Sequence, residues 1–343
     1  MDPHIINLPR KVIVGNNVID NMFDVCSELG VKKPLILADK NTLKISGERI
    51  KENLTSLNPQ TEIVKEASLA ETERIKNTVK DIDVVIGTGG GVVIDVAKLV
   101  AFEKNVCFFS VPTAPSHDGI VSETASITDK GTKISIKTRG PRAIIADVNI
   151  ISNAPYRLIA SGCADIISNL TAVYDWELAK KNGEYFSEYA AKLSLLAADI
   201  VMKSADTIVE RKERGIRNLI EALITSGIAM SIAQSSRPAS GSEHMISHAL
   251  DMMNSNALHG EQCGIASIGI AYLQGQDWKK IKQTLQKIKA PVSFREMGIE
   301  KEMVVKAFLE AKSMTKRERY TILDEKPLTR DKVEQILRVT GIY

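Results

Sequence analysis

Three of the five histidines in the chain fall between positions 244 and 259. His244 and His248 stand four apart in GSEHMISHALD, a spacing that puts both on one face of a helix. His259 follows in NALHGEQ, at the expected start of the next helix. Asp165, in ASGCADIISN, is the carboxylate of this set. Ser161, Gly162, Cys163 and Ala164 around it are small enough for another element to come close. One Asp and two His give three ligands and leave a coordination position open, the pattern of a catalytic divalent site for Zn2+ or Fe2+. Each residue also has an ordinary alternative. A helical Asp is usually solvated or capping, and a lone His is more often packed in a core than bound to a metal. Spacing does not bring Asp165 to His244; the fold must.

A second chemistry is written in residues 82–98, IDVVIGTGGGVVIDVAK. A buried strand leads into a glycine-rich turn and then a helix. Gly87, Gly89, Gly90 and Gly91 let the backbone approach a ligand closely, and the helix start offers unpaired N–H groups and a positive dipole end, so a pyrophosphate fits there. The alternative is a tight strand-to-helix turn with no ligand. The bunched glycines match neither GxGxxG nor a Walker loop. Asp39, at the end of PLILAD, is placed to accept the adenosine ribose hydroxyls, or else caps the strand end. An acid there favours NAD, while neighbouring Lys40 tolerates the 2′-phosphate of NADP, so both cofactors stay open. A third stretch, VPTAPSHDG (111–119), leaves a strand crowded with Thr, Ser, His and Asp, either for ligand contacts or as a polar turn ordered by Pro112 and Pro115.

The elements that must carry these residues change character along the chain. Up to about position 150, short branched runs (11–15, 34–39, 61–66, 83–89, 107–113) alternate with helical patterns such as 18–30 and 92–102. That alternation predicts a parallel, doubly wound sheet. Residues 125–138 read as a hairpin around Asp129-Lys130-Gly131, and 142–147 as one more strand. Beyond Asn153-Ala154-Pro155, a plausible helix start, the apolar period becomes helical, as in 189–210, 216–234 and 331–341. The expected organisation is an α/β, Rossmann-like nucleotide-binding domain over 1–152 and an all-α metal and substrate domain over 153–343.

Composition narrows the function class. Lys and Arg total 45 against 42 acids, for a net charge of +3, which points to neither a nucleic-acid nor a membrane-surface partner. The four cysteines never form a CxxC pair, which argues for a reducing compartment. The first residues, MDPHIINLPRKVIVG, lack a signal-peptide pattern, and no run reaches the ~18 apolar residues of a span. A cytoplasmic enzyme with a small-molecule substrate, with a homo-oligomer open, is the expectation.

Taken together, GTGGGVVIDVAK, VPTAPSHDG, ASGCADIISN, GSEHMISHAL, ALHGEQ and RERYTIL (317–323) resemble the superfamily of iron-containing alcohol dehydrogenases, glycerol dehydrogenases and dehydroquinate synthases. The resemblance covers essentially the whole chain and is strongest to the archaeal-type sn-glycerol-1-phosphate dehydrogenases. SHDG is its most discriminating part. Glycerol dehydrogenases carry an STDAP-like sequence there, and iron alcohol dehydrogenases a TTAGTGSE-like one. Iron alcohol dehydrogenases also place a His four residues after the ligand Asp, where this chain has Asn169. The resemblance implies a dehydroquinate synthase-like fold, one Zn2+ per chain on Asp165, His244 and His259, and a substrate pocket lined by His248 and Asp118. It implies that Gly89, Gly90, Gly91, Val92, Val93 and Asp95 hold NAD or NADP, with Thr113, Ser116 and Ser122 beyond them.

The reaction so implied is hydride transfer between NAD(P)H and the ketone carbon of dihydroxyacetone phosphate, giving sn-glycerol 1-phosphate for archaeal phospholipid backbones. His248, or a water it orients, would be the proton donor. A glycerol dehydrogenase-like polyol oxidoreductase, a dehydroquinate synthase-like lyase and a non-catalytic nucleotide-binding protein are the alternatives.

Overall fold

The apolar runs of the first half do form a parallel sheet. In the computed structural model, which describes residues 4–315 and 318–343, the order begins β1 (Lys11–Gly15), α1 (Met22–Glu28), β2 (Pro34–Ala38), a short α2 (Lys40–Thr42) and α3 (Glu48–Asn53). It continues through β3 (Gln60–Ile63), α4 (Leu69–Thr78), β4 (Val84–Gly89), α5 (Gly91–Glu103) and β5 (Cys107–Pro112). The antiparallel pair β6 (Thr124–Asp129) and β7 (Thr132–Lys137), then β8 (Ala143–Asp147) and α6 (Val148–Ser152), complete this part. The six parallel strands lie in the order β1-β8-β5-β4-β2-β3.

Alternate residues of each strand feed two cores. Leu35, Leu37, Val85 and Phe108 join Val93, Val96 and Val100 of α5 on one face. Ile36, Val84, Ile86 and Phe109 join Met22, Val25 and Ile50 on the other. Burial on both faces is why these strands read as continuous apolar runs. The expected hairpin closes on Lys130 and Gly131, at φ 47° and 82°, between the paired Asp129 and Thr132. Two positive φ values in a two-residue loop match the twist of paired strands, and Gly131 makes one of them easy. The run 61–66 is strand only through Ile63, because the Lys65 N–H turns away to donate to Glu71 Oε1.

The second half is helical throughout its described residues. It comprises α7 (Tyr156–Lys181), α8 (Glu188–Lys203), α9 (Ala205–Val209), α10 (Glu213–Ala233), α11 (Ser242–Met252) and α12 (His259–Gln274). There follow α13 (Trp278–Lys287), α14 (Lys301–Thr315), α15 (Ile322–Glu325) and α16 (Arg330–Thr340). The helical stretch 189–210 is interrupted at Ser204, whose hydroxyl accepts from Asn218 Nδ2 on α10. By length and hydropathy α10 would span a bilayer, but 61% of its apolar window is buried within the fold, so it is a core helix. The chain divides into two compact units, Met1–Leu158 and Ile159–Tyr343, and this boundary falls in the first turn of α7.

Candidate metal centre and nucleotide loop

The long helix α7 carries Asp165, and two other helices are brought to it by glycines. At the start of α12, a Cβ on Gly260 would lie 2.0 Å from the Ser161 carbonyl oxygen. One turn on, a Cβ on Gly264 would lie 2.7 Å from Ala164 Cβ. Before α11, a Cβ on Gly241 would lie 2.9 Å from Ala172 Cα. Backbone thus meets α7 directly at each point, which side chains would prevent. Asp175, one helix face further along, fastens the arrangement. Its Oδ2 accepts from the Ser242 N–H and hydroxyl (2.7 and 2.6 Å), and its Oδ1 from Gln274 Nε2 (3.0 Å) and the Ile322 N–H (2.9 Å).

The result places Asp165, His244 and His259 together, as the sequence spacing alone did not. His244 Nε2 lies 3.8 Å and His259 Nε2 3.7 Å from Asp165 Oδ1. Cys263, one turn after His259 on α12, completes a group whose ligand atoms all lie within 4.8 Å of one another. His248 stands beside them, its ring centroid 6.4 Å from that of His244 and 5.8 Å from that of His259.

Hydrogen bonds decide which ring nitrogen faces the group. Ser247 Oγ donates to Gln262 Oε1 (2.7 Å), so toward His259 Nδ1 (3.1 Å) it accepts. That puts the proton on Nδ1 and leaves the His259 Nε2 lone pair facing Asp165. His244 Nδ1 lies 2.9 Å from the buried carboxylate oxygen Oε1 of Glu243, which selects the same tautomer there. Such partners orient ligating imidazoles and raise their basicity. Burial opposes a charged His244, yet the Cys263 sulfur and the Glu243 carboxylate outweigh it and hold the ring well above its usual pKa. Burial pushes the Cys263 thiol itself up to about 11. One carboxylate, two imidazole lone pairs and a sulfur suit a borderline divalent ion such as zinc.

In the first unit the glycine turn lies where the strand register ends. Gly89 pairs with Pro112, and Leu37 with Gly87, so Asp39 and Thr113 leave the sheet beside Gly89. The Thr113 N–H donates to Gly89 O (3.0 Å). None of the four glycines takes a positive φ; their reason is space. A Cβ on Gly87 or Gly89 would come within 2.6 Å of Ala97 or Val93 on α5, so these two let the helix pack on the strand. A Cβ on Gly91 would lie 2.6 Å from His117 Nε2, whereas at Gly90 nothing lies within 4 Å. The open approach is therefore at Gly90, before a helix start that no side chain caps, with Val92 half exposed and Val93 buried.

Asp39 is a helix cap: its Oδ1 accepts from the Asn41 and Thr42 N–H groups (2.7 and 2.9 Å). Asp95 is buried on α5, 3.4 Å from Lys98 Nζ. Lys98, itself buried, also donates to the carbonyls of Gly119 (2.9 Å) and Thr124 (2.7 Å). It thereby fastens the loop of Ser116, His117, Asp118 and Ser122 to α5. His117 Nδ1 accepts from the Gly119 N–H (2.9 Å), and Ser122 Oγ donates to Thr124 O (3.3 Å).

Sequence reasoning missed Cys263, Glu243, Ser247 and Lys98. Cys263 had a signal, its position one helical turn from His259. The late segment 317–323 is structural where described, with Arg317 outside the described residues. Arg319 donates to Ser240 O and Ser236 Oγ, and Thr321 caps α15, whose first N–H meets Asp175.

Residues 13–155 match the family model described as iron-containing alcohol dehydrogenase. The chain is 47% identical over 345 residues to glycerol-1-phosphate dehydrogenase [NAD(P)+] of Pyrococcus furiosus, covering 99% of each. To the protein of that name from Thermococcus sibiricus it is 47% identical, over 99% of this chain and 98% of the relative. Glycerol dehydrogenase from Schizosaccharomyces pombe shares the fold, with a TM-score of 0.82 at 21% identity over 99% of this chain and 91% of that one. Identity at this level along the full length, with the donor cluster in place, makes the chain a member of the glycerol-1-phosphate dehydrogenase family.

Proposed function

We propose that the protein catalyses the reversible NAD(P)H-dependent reduction of dihydroxyacetone phosphate to sn-glycerol 1-phosphate, as a cytoplasmic enzyme. The observation that carries this reading is the group of Asp165, His244 and His259, with both imidazole Nε2 atoms turned to one carboxylate oxygen. Relatives named for this activity at 47% identity support the substrate.

Asp165, His244 and His259 would hold a Zn2+, which supplies Lewis-acid polarisation of a ketone, while NAD(P)H supplies the hydride. The remaining work belongs to side chains and backbone. The open face of Gly90 and the N–H groups starting α5 bind the pyrophosphate. Asp39 reaches the ribose with its second oxygen, and Thr113, Ser116 and Ser122 line the path beyond. Glu243 and Ser247 hold the two imidazoles in their ligating tautomers. His248 passes a proton to the substrate oxygen as the alcohol forms, and Asp118 orients the substrate.

The test is a substrate panel of dihydroxyacetone phosphate, dihydroxyacetone and glycerol with NADH, NADPH and their oxidised forms, before and after chelation. The reading expects oxidation of NAD(P)H with dihydroxyacetone phosphate, lost on chelation and restored by zinc. A preference for unphosphorylated glycerol would make it a polyol oxidoreductase instead, and absence of net NAD(P)H turnover would overturn it. His259→Ala should lose bound metal and turnover together, with its far-UV circular dichroism unchanged.

A further inference from the structure

In the tetrapeptide Ser116-His117-Asp118-Gly119, the reading above gives work to Ser116 and Asp118 and none to His117. Yet the place of this half-buried ring is specific. It lies between two glycines: a Cβ on Gly119 would stand 2.2 Å from its Cε1, and one on Gly91 2.6 Å from its Nε2. Neither glycine takes a positive φ, so what both supply is room for the imidazole. Gly91 thus differs from Gly87 and Gly89, whose missing side chains let α5 pack on β4.

The hydrogen bonds set the direction of the ring. The Gly119 N–H donates to His117 Nδ1 (2.9 Å), so a neutral ring carries its proton on Nε2. Lys98 Nζ holds the Gly119 carbonyl (2.9 Å) from two turns further along α5. The residue on which the ring rests is therefore tied to the helix that the ring faces. At its other side, Nε2 meets Gly91, the first residue of that helix. The Ile94 N–H, bonded to Gly90 O (3.0 Å), opens the helical ladder, so those of Gly91, Val92 and Val93 come before it. Residues 84–97 hold no Lys or Arg, and Lys98 is committed to the carbonyls of Gly119 and Thr124. An anion on this turn meets backbone donors, with the His117 Nε2–H as a side-chain donor at their edge.

We propose that His117 is a further cofactor-binding residue, its Nε2–H donating to the pyrophosphate of NAD(P) beside the N–H groups of Gly91, Val92 and Val93. The inference rests on the nucleotide reading above and deepens it; relatives named for NAD(P)+ support the cofactor. It assigns Gly91 and His117 as a pair, the glycine kept small so that the imidazole reaches the turn. Because the pyrophosphate is common to both cofactors, His117 serves NADH and NADPH alike.

The experiment titrates NADH and NADPH into the full chain by nicotinamide fluorescence, for the unaltered protein, His117→Ala, His117→Asn and His117→Gln. Asparagine sets an acceptor where Nδ1 stands, so it keeps the Gly119 bond without the reach to Gly91. Glutamine sets an N–H donor near the position of Nε2. The Kd of both cofactors should rise by the same factor, at least ~10-fold, in the Ala and Asn variants, the scale of a lost hydrogen bond to a charged group. The Gln variant should recover most of that loss. Inorganic pyrophosphate, used as a competitor of NADH, should weaken in the same order. If His117→Asn binds as tightly as the unaltered chain, the ring only orders its loop and the proposal is overturned. A Gln variant no better than Asn would overturn it too, with the nucleotide site left standing. An unaltered chain that binds neither cofactor would overturn both readings. The comparison of Asn with Gln decides the matter even if His117→Ala does not fold.

Discussion

Gly260 and Ser161 meet backbone to backbone: a Cβ on the glycine would stand 2.0 Å from the serine carbonyl oxygen. Asp165 lies one turn further along α7, and His259 immediately precedes the glycine, so this contact sets the separation of two members of the donor cluster that it does not itself include. Gly260→Ala must push α12 off α7. The expected cost is about 1–3 kcal/mol in stability, the usual scale of overpacking, with weakened zinc binding although every ligand remains. Gly264→Ala, facing Ala164 Cβ at 2.7 Å, should act in the same direction and more mildly. Thermal denaturation and metal analysis read both effects; a folded Gly260→Ala with undiminished zinc affinity would refute this account.

Ser247 touches the donor cluster through His259, its Oγ lying 3.1 Å from Nδ1. Ser247→Ala removes the acceptor that fixes the proton on Nδ1, and the ring is then free to turn or change tautomer. Zinc affinity is expected to fall ~10–100-fold, as for other partners of ligating histidines, with little change in melting temperature of the metal-free protein. Equal affinities in a chelator competition would show that the ring is held by packing instead.

Lys98 is the corresponding fastener in the first unit. Burial lowers its pKa and the Asp95 carboxylate opposes that shift. Lys98→Met keeps the length of the side chain but leaves the carbonyls of Gly119 and Thr124 without this donor. The orphaned Gly119 carbonyl costs about 1–3 kcal/mol if it stays buried, whereas Thr124 O keeps the Ser122 hydroxyl. Denaturant unfolding should show that loss, and cofactor titration a weaker complex because the Ser116–Ser122 loop is released. Unchanged stability would mean that water replaces the ammonium without penalty.

Asp175 makes a pH prediction. Burial, and then the charge of Glu243, raise its carboxyl from an ordinary 3.8 to about 6. The folded state therefore holds this proton more tightly than the unfolded chain does. The associated stability is fully present below about pH 4 and is lost as pH rises through about 6, amounting to about 3 kcal/mol. Asp175→Asn cannot accept the four hydrogen bonds and should be destabilising throughout. Its deficit relative to the unaltered chain should shrink by about that amount between pH 4 and pH 7. Unfolding curves at several pH values measure the difference, and a constant or growing deficit would contradict the assignment.

Much of this was legible in the chain itself. Strands buried on both faces announce themselves as unbroken branched runs, so PLILAD (34–39) and DVVIGTG (83–89) were readable to within one residue of the strands Pro34–Ala38 and Val84–Gly89. His244 and His248 were readable as a helical pair because the helix repeat is local. The union of Asp165 with His244 and His259 was not, since it depends on Gly241, Gly260 and Gly264 meeting α7 across long sequence separations. A glycine's purpose is set by what it faces, which no spacing encodes. The glycine turn makes the same point, since Gly87 and Gly89 serve helix packing and only Gly90 opens outward. Asp39 was readable as a cap or a ribose ligand; the cap is what its Oδ1 makes.

The sheet order carries a consequence for the birth of the protein. Edge strand β1 has a single strand neighbour, β8, paired from Lys11 with Ala143 to Gly15 with Asp147. The first strand of this sheet to be made must therefore wait for the last one before it can dock, and β5 presents a bare edge until then. Contacts so distant in sequence slow folding. A nascent chain stopped short of Ala143 would hold β2, β3, β4 and β5 with β1 left over, so the first unit is expected to mature in one late step.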